Sequence, residues 1–315
     1  MYKRQVLGRY LNARARLDDW DYLTRRTIDD PNYQQNRVLW MGGLRVKHRL
    51  APWWSYTLRA SLFRSERDYR DKPNSPLDWD VSRSWYNGEM RKLDLQHALT
   101  PLRWLTLIVG GEYEEEEGSS SSWWAGSTSR FPRRTAYNAA GYLQARLNAG
   151  GLVVQAGFRT DHHNRFGVET TGRLAAAYTF ERTGTRLRGS IGTGFKAPSL
   201  YQLYAPPFES YGWVFPVGNP DLDPERSRGW DLGIDQQLFD GRLGLSLTFF
   251  RNDLTDLIEY DWSEGYHNVG GATTRGLEVV ADARPREDLE LRATYTYLHA
   301  IDQDTHRELA RRPDD

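Results

Sequence analysis

Apolar and polar residues alternate one by one through segment after segment of this chain. Leu243, Leu245, Leu247 and Phe249 alternate with Gly244, Ser246, Thr248 and Phe250. Leu289, Leu291, Ala293, Tyr295 and Tyr297 alternate with Glu290, Arg292, Thr294 and Thr296, and Trp230, Leu232 and Ile234 with Asp231, Gly233 and Asp235. Successive side chains of a strand point to opposite faces, so each segment reads as a strand with one apolar and one polar face. The pattern predicts about thirteen strands, at roughly 6–17, 37–49, 54–67, 85–99, 104–116, 135–148, 152–160, 168–181, 186–195, 227–239, 242–253, 273–284 and 289–300. Most are about 10–14 residues long, whereas soluble strands usually run about 5–6. A tilted strand that crosses a membrane needs about 9–11.

The connections alternate as well. Leu50–Trp53, Thr100–Arg103, Ala149–Gly151, Arg182–Thr185, Asp240–Gly241 and Pro285–Asp288 are short. The segments 18–36, 68–84, 117–134, 196–226 and 254–272 are long, with 161–167 the shortest of that set. Short turns on one rim and long loops on the other are the pattern of an outer-membrane barrel. Such a barrel turns its apolar face to lipid and needs no central core, which suits a chain that is only 39% hydrophobic with a mean hydropathy of −0.73. No stretch approaches the roughly 18 apolar residues of a spanning helix. The 12 Trp and 18 Tyr want an amphipathic setting, and membrane–water interfaces supply one. Lys+Arg and Asp+Glu balance at 42 each, which gives no basic face for nucleic acid. The absence of cysteine excludes disulfides and thiolate chemistry. No HExxH, GxSxG or GxxxxGK[ST] occurs, so no enzyme class is indicated.

Residues 192–204 read GTGFKAPSLYQLY, and 218–235 read GNPDLDPERSRGWDLGID. FFRNDLTDLIEYD (249–261), YHNVGGATTRGLEV (266–279) and ATYTYLHAID (293–302) follow, with LARRP at 309–313. In this order and spacing the segments resemble the TonB-dependent outer-membrane receptors, most nearly the vitamin B12 receptor branch; residues 1–190 resemble them in alternation and loop pattern only. The resemblance implies an antiparallel transmembrane β-barrel in the bacterial outer membrane. Its function would be uptake of a bulky nutrient, a cobalamin or a ferric siderophore, with energy passed from TonB through a plug domain. Transporter barrels of this kind have about 22 strands and a plugged lumen. Thirteen strands over 1–315 therefore read as a partial barrel domain, an internal piece of a longer receptor without its plug and closing strands.

Four outer-loop aromatics are candidate ligand contacts: Trp123 and Trp124 beyond the Ser-rich stretch Gly118–Ser122, and Tyr211 and Trp213 in the 31-residue segment 196–226. Flat aromatic faces suit a large, semi-polar ligand. Near strand ends, as at Trp53, Trp54 and Trp104, an interfacial girdle is the simpler reading. Asp18, Asp19, Asp21, Asp29 and Asp30 form an acidic outer segment. Vitamin B12 receptors bind calcium in outer loops, so these five are the candidate calcium ligands the resemblance implies, although no EF-hand spacing is present and solvated loop charge is the default reading. A second acidic run is Glu112 with Glu114–Glu117. His162 and His163 are adjacent, point to opposite faces if extended, and make a poor metal pair.

Two other functions fit long strands: a passive porin or specific channel, and a soluble β-structured binding protein with a closed apolar core. The barrel reading sorts particular residues. Leu243, Leu245, Leu247, Leu291, Ala293 and Tyr295 belong outside, and Ser246, Thr248, Glu278, Asp282, Arg292 and Thr294 on the lumen side. Asn268 with Gly270 and Gly271 reads as a turn before a strand.

Overall fold

The computed structural model describes residues 2–21, 25–73, 81–124, 126–210 and 212–308, with the backbone alone for Asp19–Asp21, Ile28 and Ser210. In chain order the strands are β1 (Tyr2–Arg16), β2 (Asp19–Asp21), β3 (Arg26–Ile28), β4 (Gln34–Ala51), β5 (Trp54–Arg70), β6 (Ser82–Leu102) and β7 (Leu105–Trp124). Next come β8 (Ser127–Ala149), β9 (Leu152–His163), β10 (Gly167–Phe180) and β11 (Thr185–Lys196), then the short helix α1 (Leu200–Tyr204). The remainder is β12 (Phe208–Ser210), β13 (Trp213–Phe215), β14 (Glu225–Leu238), β15 (Leu243–Thr255), β16 (Leu257–Asp261), β17 (Gly265–Val269), β18 (Ala272–Arg286) and β19 (Leu289–Asp302).

Thirteen of these form one antiparallel sheet in the order β1-β4-β5-β6-β7-β8-β9-β10-β11-β14-β15-β18-β19. The remaining six pair as hairpins, β2 with β3, β12 with β13 and β16 with β17, inside long connections at one rim. The sheet order is linear, with β1 at one end and β19 at the other. The opposite rim has tight turns. At the β8–β9 turn Gly150 and Gly151 both have positive φ, 56° and 81°, as a two-residue turn between twisted strands requires. A Cβ on Gly151 would also lie 2.8 Å from the Thr179 carbonyl oxygen.

Register fixes which residues share a face. Thr248, Glu278 and Thr296 stand opposite one another on β15, β18 and β19, as do Gly244, Asp282 and Arg292. Leu247, Val279 and Tyr295 fill the alternate row, and Leu245, Ala281 and Ala293 another. The two sets expected from the sequence therefore fall on opposite faces. The apolar face is open: Val6, Leu62, Leu93, Leu143, Phe158, Leu174 and Leu232 are all between 45% and 82% exposed. A soluble protein of this size would bury such a face; here its cover is lipid.

Aromatic rings edge the apolar band on both sides. Toward the tight turns, Tyr2, His48, Tyr56 and His97 make a chain of ring contacts 5.3–6.2 Å apart, and Trp54 donates to His97 Nδ1 at 3.1 Å. Toward the long connections, Tyr10 packs on Trp40, Tyr113 on Tyr137 and Trp230 on Phe249. Eight residues separate Tyr2 from Tyr10 on β1, about 27 Å along a strand, which with tilt matches an apolar band about 25 Å tall.

Candidate functional site: lumen wall and rim

The polar face carries a connected charge network across β5 to β9. Arg59 reaches Asp94 at 2.5 Å and Gln96 at 3.1 Å, and the Tyr142 hydroxyl donates to Asp94 at 2.6 Å. Lys92 bridges Glu112 and Glu114 at 3.0 and 2.9 Å. Arg159 bonds Glu112 at 2.9 Å and grips the fully buried Asp161 through Nε and Nη2, while Asn138 donates to Asp161 at 2.6 Å. Of these, Arg59, Lys92, Asp94, Glu112, Tyr142 and Arg159 line an open concavity of about 560 Å³. Paired in this way the charges keep a polar wall without isolated ions. A second knot on β11, β14 and β15 joins Arg188 to Asp235, Ser246 and Thr248. Glu278 stays exposed between Thr248 and Thr296.

The acidic run separates by strand parity. Glu112 and Glu114 face the lumen with Lys92 and Arg159, whereas Glu115 and Glu117 face outward with Arg91 and Arg133. His162 and His163 divide in the same way: His163 lies opposite Asn138 and stacks on Phe166 at 4.2 Å, while His162 lies opposite Ala139.

At the rim the segment 197–224 folds back onto the wall. Ser199 caps α1: its hydroxyl accepts from Gln202 N at 3.2 Å and its own N–H donates to Gln202 Oε1 at 2.8 Å, a capping box. Leu200 and Leu203 are buried, Leu203 to 2% exposure, and Leu200 packs with Phe131 and Ala136 of β8. Gly218 N–H then donates to Ala205 O and Asn219 N–H to Gln202 O. Partial desolvation beside Tyr266 pushes the phenol of the half-exposed Tyr201 above its ordinary value.

This segment is fastened to the β16–β17 hairpin. Asn268 accepts from Asp223 N–H at 2.9 Å and donates to the Asp223 and Asp256 carbonyls at 3.1 and 2.8 Å. Glu225 accepts from Ile258 N–H at 3.1 Å and from Lys196 Nζ at 2.8 Å, and Tyr266 N–H donates to Val217 O. Asn268, read from sequence as part of a turn, is a β17 residue that bridges two loops; Gly270 and Gly271 do occupy the connection to β18. A ladder of rings runs along the junction from Phe131 through Tyr201, Tyr266, Tyr260 and Trp262 to Phe208 and Phe215, with centroids 4.9–6.4 Å apart. In the hairpin turn Asp261 accepts from Ser263 N–H at 2.7 Å and from the Ser263 hydroxyl, which holds its carboxyl below the usual range.

The aromatic candidates fall on different hairpins. Trp213 stands on β13, 73% exposed. Trp123 and Trp124 end β7, paired with Thr128 and Ser127, so the segment expected as the loop 117–134 is instead the upper part of the β7–β8 pairing, with a register shift between Gly118 and Ser120. Above the membrane both faces of a strand are wet, so apolar contrast disappears while the backbone ladder continues. Tyr211 lies outside the described residues. Of the acidic segment, Asp30 is buried and its carboxylate accepts from Asn32 and Tyr33 N–H, an Asx turn. Asp18 and Asp29 are exposed, and the backbones of Asp19 and Asp21 pair in β2–β3. Among the described residues no group of three or more His, Asp or Glu side chains is placed to hold a metal ion.

Residues 2–315 match the family described as TonB dependent receptor-like, beta-barrel. The chain belongs to that family. Its membership places it in the bacterial outer membrane, in a family of receptors and transporters rather than enzymes. Solved structures share the fold at low identity. The siderophore receptor PirA from Acinetobacter baumannii is 19% identical with a TM-score of 0.71, over 92% of this chain and 48% of PirA. The ferripyoverdine receptor of Pseudomonas aeruginosa, bound to ferripyoverdine, is 14% identical with a TM-score of 0.70, over 98% and 48%. The RagAB peptide importer is 14% identical with a TM-score of 0.65, over 90% and 39%. The chain thus spans about half the length, or less, of these receptor chains.

Proposed function

We propose that this TonB-dependent receptor barrel takes up a bulky, scarce nutrient, a cobalamin or a ferric siderophore, by TonB-driven transport through a plug seated against its polar wall. The observation that carries the reading is the rim. Two loops are tied together by Asn268, Glu225 and a ladder of rings, and present Tyr201, Trp213 and Trp262 outward. A preordered aromatic surface loses little freedom on binding a large ligand. The motif order resembles the vitamin B12 branch, while two of the three solved relatives above are siderophore receptors, so both ligand classes stand within the proposal. Trp123, Trp124, Tyr211 and Trp213 are its proposed ligand contacts, and Asp18, Asp19, Asp21, Asp29 and Asp30 its proposed calcium segment.

Cells expressing the full-length receptor should accumulate radiolabelled cobalamin or a ferric siderophore, and a protonophore should abolish that uptake. Uptake unaffected by the protonophore would favour a passive channel.

A further inference from the structure

Strand β8 outruns its neighbour. Its pairing with β9 ends at Asn138 opposite His163, whereas its pairing with β7 continues to Ser127 opposite Trp124. The cause is the next turn, where residues 164–166 reverse the chain at once into β10. Asn164 closes the step: its N–H donates to Tyr137 O at 3.1 Å and its Oδ1 accepts from Tyr137 N–H at 3.0 Å. Among the described residues no hydrogen bond reaches the β9-facing main chain of residues 127–136 above that closure. Main-chain groups of a strand alternate in direction, so Thr135 and Arg133 direct theirs to the same open side as Tyr137. Helix α1 covers the lumen face instead, where Leu200 packs with Phe131 and Ala136.

The open edge is basic. Arg130, Arg133 and Arg134 are exposed on it, and Arg165 is exposed in the turn at its foot. Arg133 pairs with Glu117. Arg134 and Arg165 lie over the ring of Tyr204, at 5.1 and 5.0 Å from its centroid. Among the described residues no carboxylate pairs with Arg130, Arg134 or Arg165. Three such arginines against Glu116, the lumen-side carboxylate opposite Ala136, leave an excess of two positive charges. An unpaired edge templates a further strand unless something guards it. Here the guards discriminate. Pro132 has no amide to offer and sits at the register shift, which breaks the flat edge a generic strand would use. Two copies of this edge would set arginine against arginine. A strand that carries carboxylates gains ion pairs as well as main-chain bonds.

We infer that the β8 edge accepts an extended acidic segment of a protein partner at the cell surface, by strand addition. From Thr128 to Thr135 the edge spans about 24 Å, room for a segment of about six to eight residues. This contact is separate from nutrient uptake: it recognises main chain and carboxylates, not a ring system.

The test uses the full-length receptor in detergent and a fluorescein-labelled octapeptide that alternates Glu with Val. Fluorescence anisotropy should show saturable binding, and hydrogen exchange should slow within 127–136 when the peptide is bound. Thr135→Pro removes an edge amide that the β7 ladder does not use, at the kind of position where a sheet tolerates proline. It should weaken binding about tenfold. The triple R130Q/R134Q/R165Q should weaken it about tenfold as well and flatten its salt dependence. The peptide with Lys in place of Glu, and the Glu peptide N-methylated throughout, should not bind. Absence of binding to wild type overturns the proposal. Equal binding by T135P, or binding without protection of 127–136, would mean ion pairing without strand addition and also overturns it. Equal binding of the Lys peptide overturns the acidic assignment. Circular dichroism checks the β-signal, and should T135P fail to fold, the N-methylated peptide on wild type decides, since equal binding of that peptide rules out strand addition.

Discussion

Replacing Asn268 by alanine should uncouple the two rim loops without unfolding the barrel. The side chain makes three hydrogen bonds, one accepted from Asp223 N–H and two donated to the Asp223 and Asp256 carbonyls. A neutral hydrogen bond contributes about 0.5–1.5 kcal/mol net, so three give an upper figure near 4.5 kcal/mol. The two bonds to Asp223 are exposed, and water replaces their partners when they break, which brings the expected loss to about 1–2 kcal/mol. Local opening of segments 216–226 and 257–269 should then become roughly 5–30 times more frequent, since 1.4 kcal/mol is a factor of ten. Hydrogen exchange followed by mass spectrometry on the full-length receptor in lipid nanodiscs reads this directly. Both segments should lose protection together, while β4 to β6 exchange as before. Asn268→Asp keeps the acceptor but turns a carboxylate oxygen toward the Asp223 and Asp256 carbonyls, so it should lose at least as much protection as N268A. Unchanged protection in N268A, or loss in one segment only, would refute the claim that the loops form one unit.

Four further outcomes follow from the same geometry. Leu203→Ala empties the most deeply buried apolar site of α1 and should cost about 2–5 kcal/mol locally, seen as faster proteolysis within 197–224 with the sheet intact. Asp161→Ala leaves Arg159 partly uncompensated on the lumen wall and should lower stability by about 3 kcal/mol, read as a lower denaturant midpoint. Replacing Tyr211 and Trp213 together by alanine should weaken ligand binding by roughly 1–3 kcal/mol if they stack on the ligand, with surface expression unchanged; unaltered affinity would remove this hairpin from the binding site. The Asp261 carboxyl is lowered by its bonds from Ser263, so its contribution to the hairpin turn is full above the ordinary carboxylate range and is lost as pH falls through the lowered value. Exchange protection around 261–265 should fall in that acidic window, and Ser263→Ala should move the loss to higher pH.

The sheet was legible because lipid and lumen impose opposite demands on alternate residues. Leu245 beside Ser246, or Leu291 beside Arg292, declares both strand and face. The same contrast locates the tight turns, where Gly150–Gly151 interrupts it. Legibility stops where the contrast does: beyond Tyr113 the chain reads Glu, Ser and Trp on both faces, so β7 and β8 look like a loop although their pairing continues to Trp124 and Ser127. Helix α1 carried a usable signal in Ser199 and Gln202, a capping-box spacing just before Leu203. The joining roles of Glu225 and Asn268 carried none. Their partners lie 33 and 45 residues away, and sequence spacing does not report contacts made by loop closure. Parity predicts that Glu112 and Glu114 share a face, but only register shows them meeting Lys92 and Arg159 there.

The β7–β8 hairpin has a consequence for how the cell surface meets this protein. From Tyr113 the paired strands continue for eleven more residues to Trp124, about 36 Å of ladder before tilt is counted. A braced arm of that reach extends past the sugars nearest the membrane, so Trp123 and Trp124 are among the first groups an approaching antibody or phage tail would touch. Along that reach β7 is paired on both sides, to β6 and to β8, whereas the β9-facing edge of β8 is open above Asn138. An epitope tag placed between Ala125 and Gly126 should therefore be readable on intact cells.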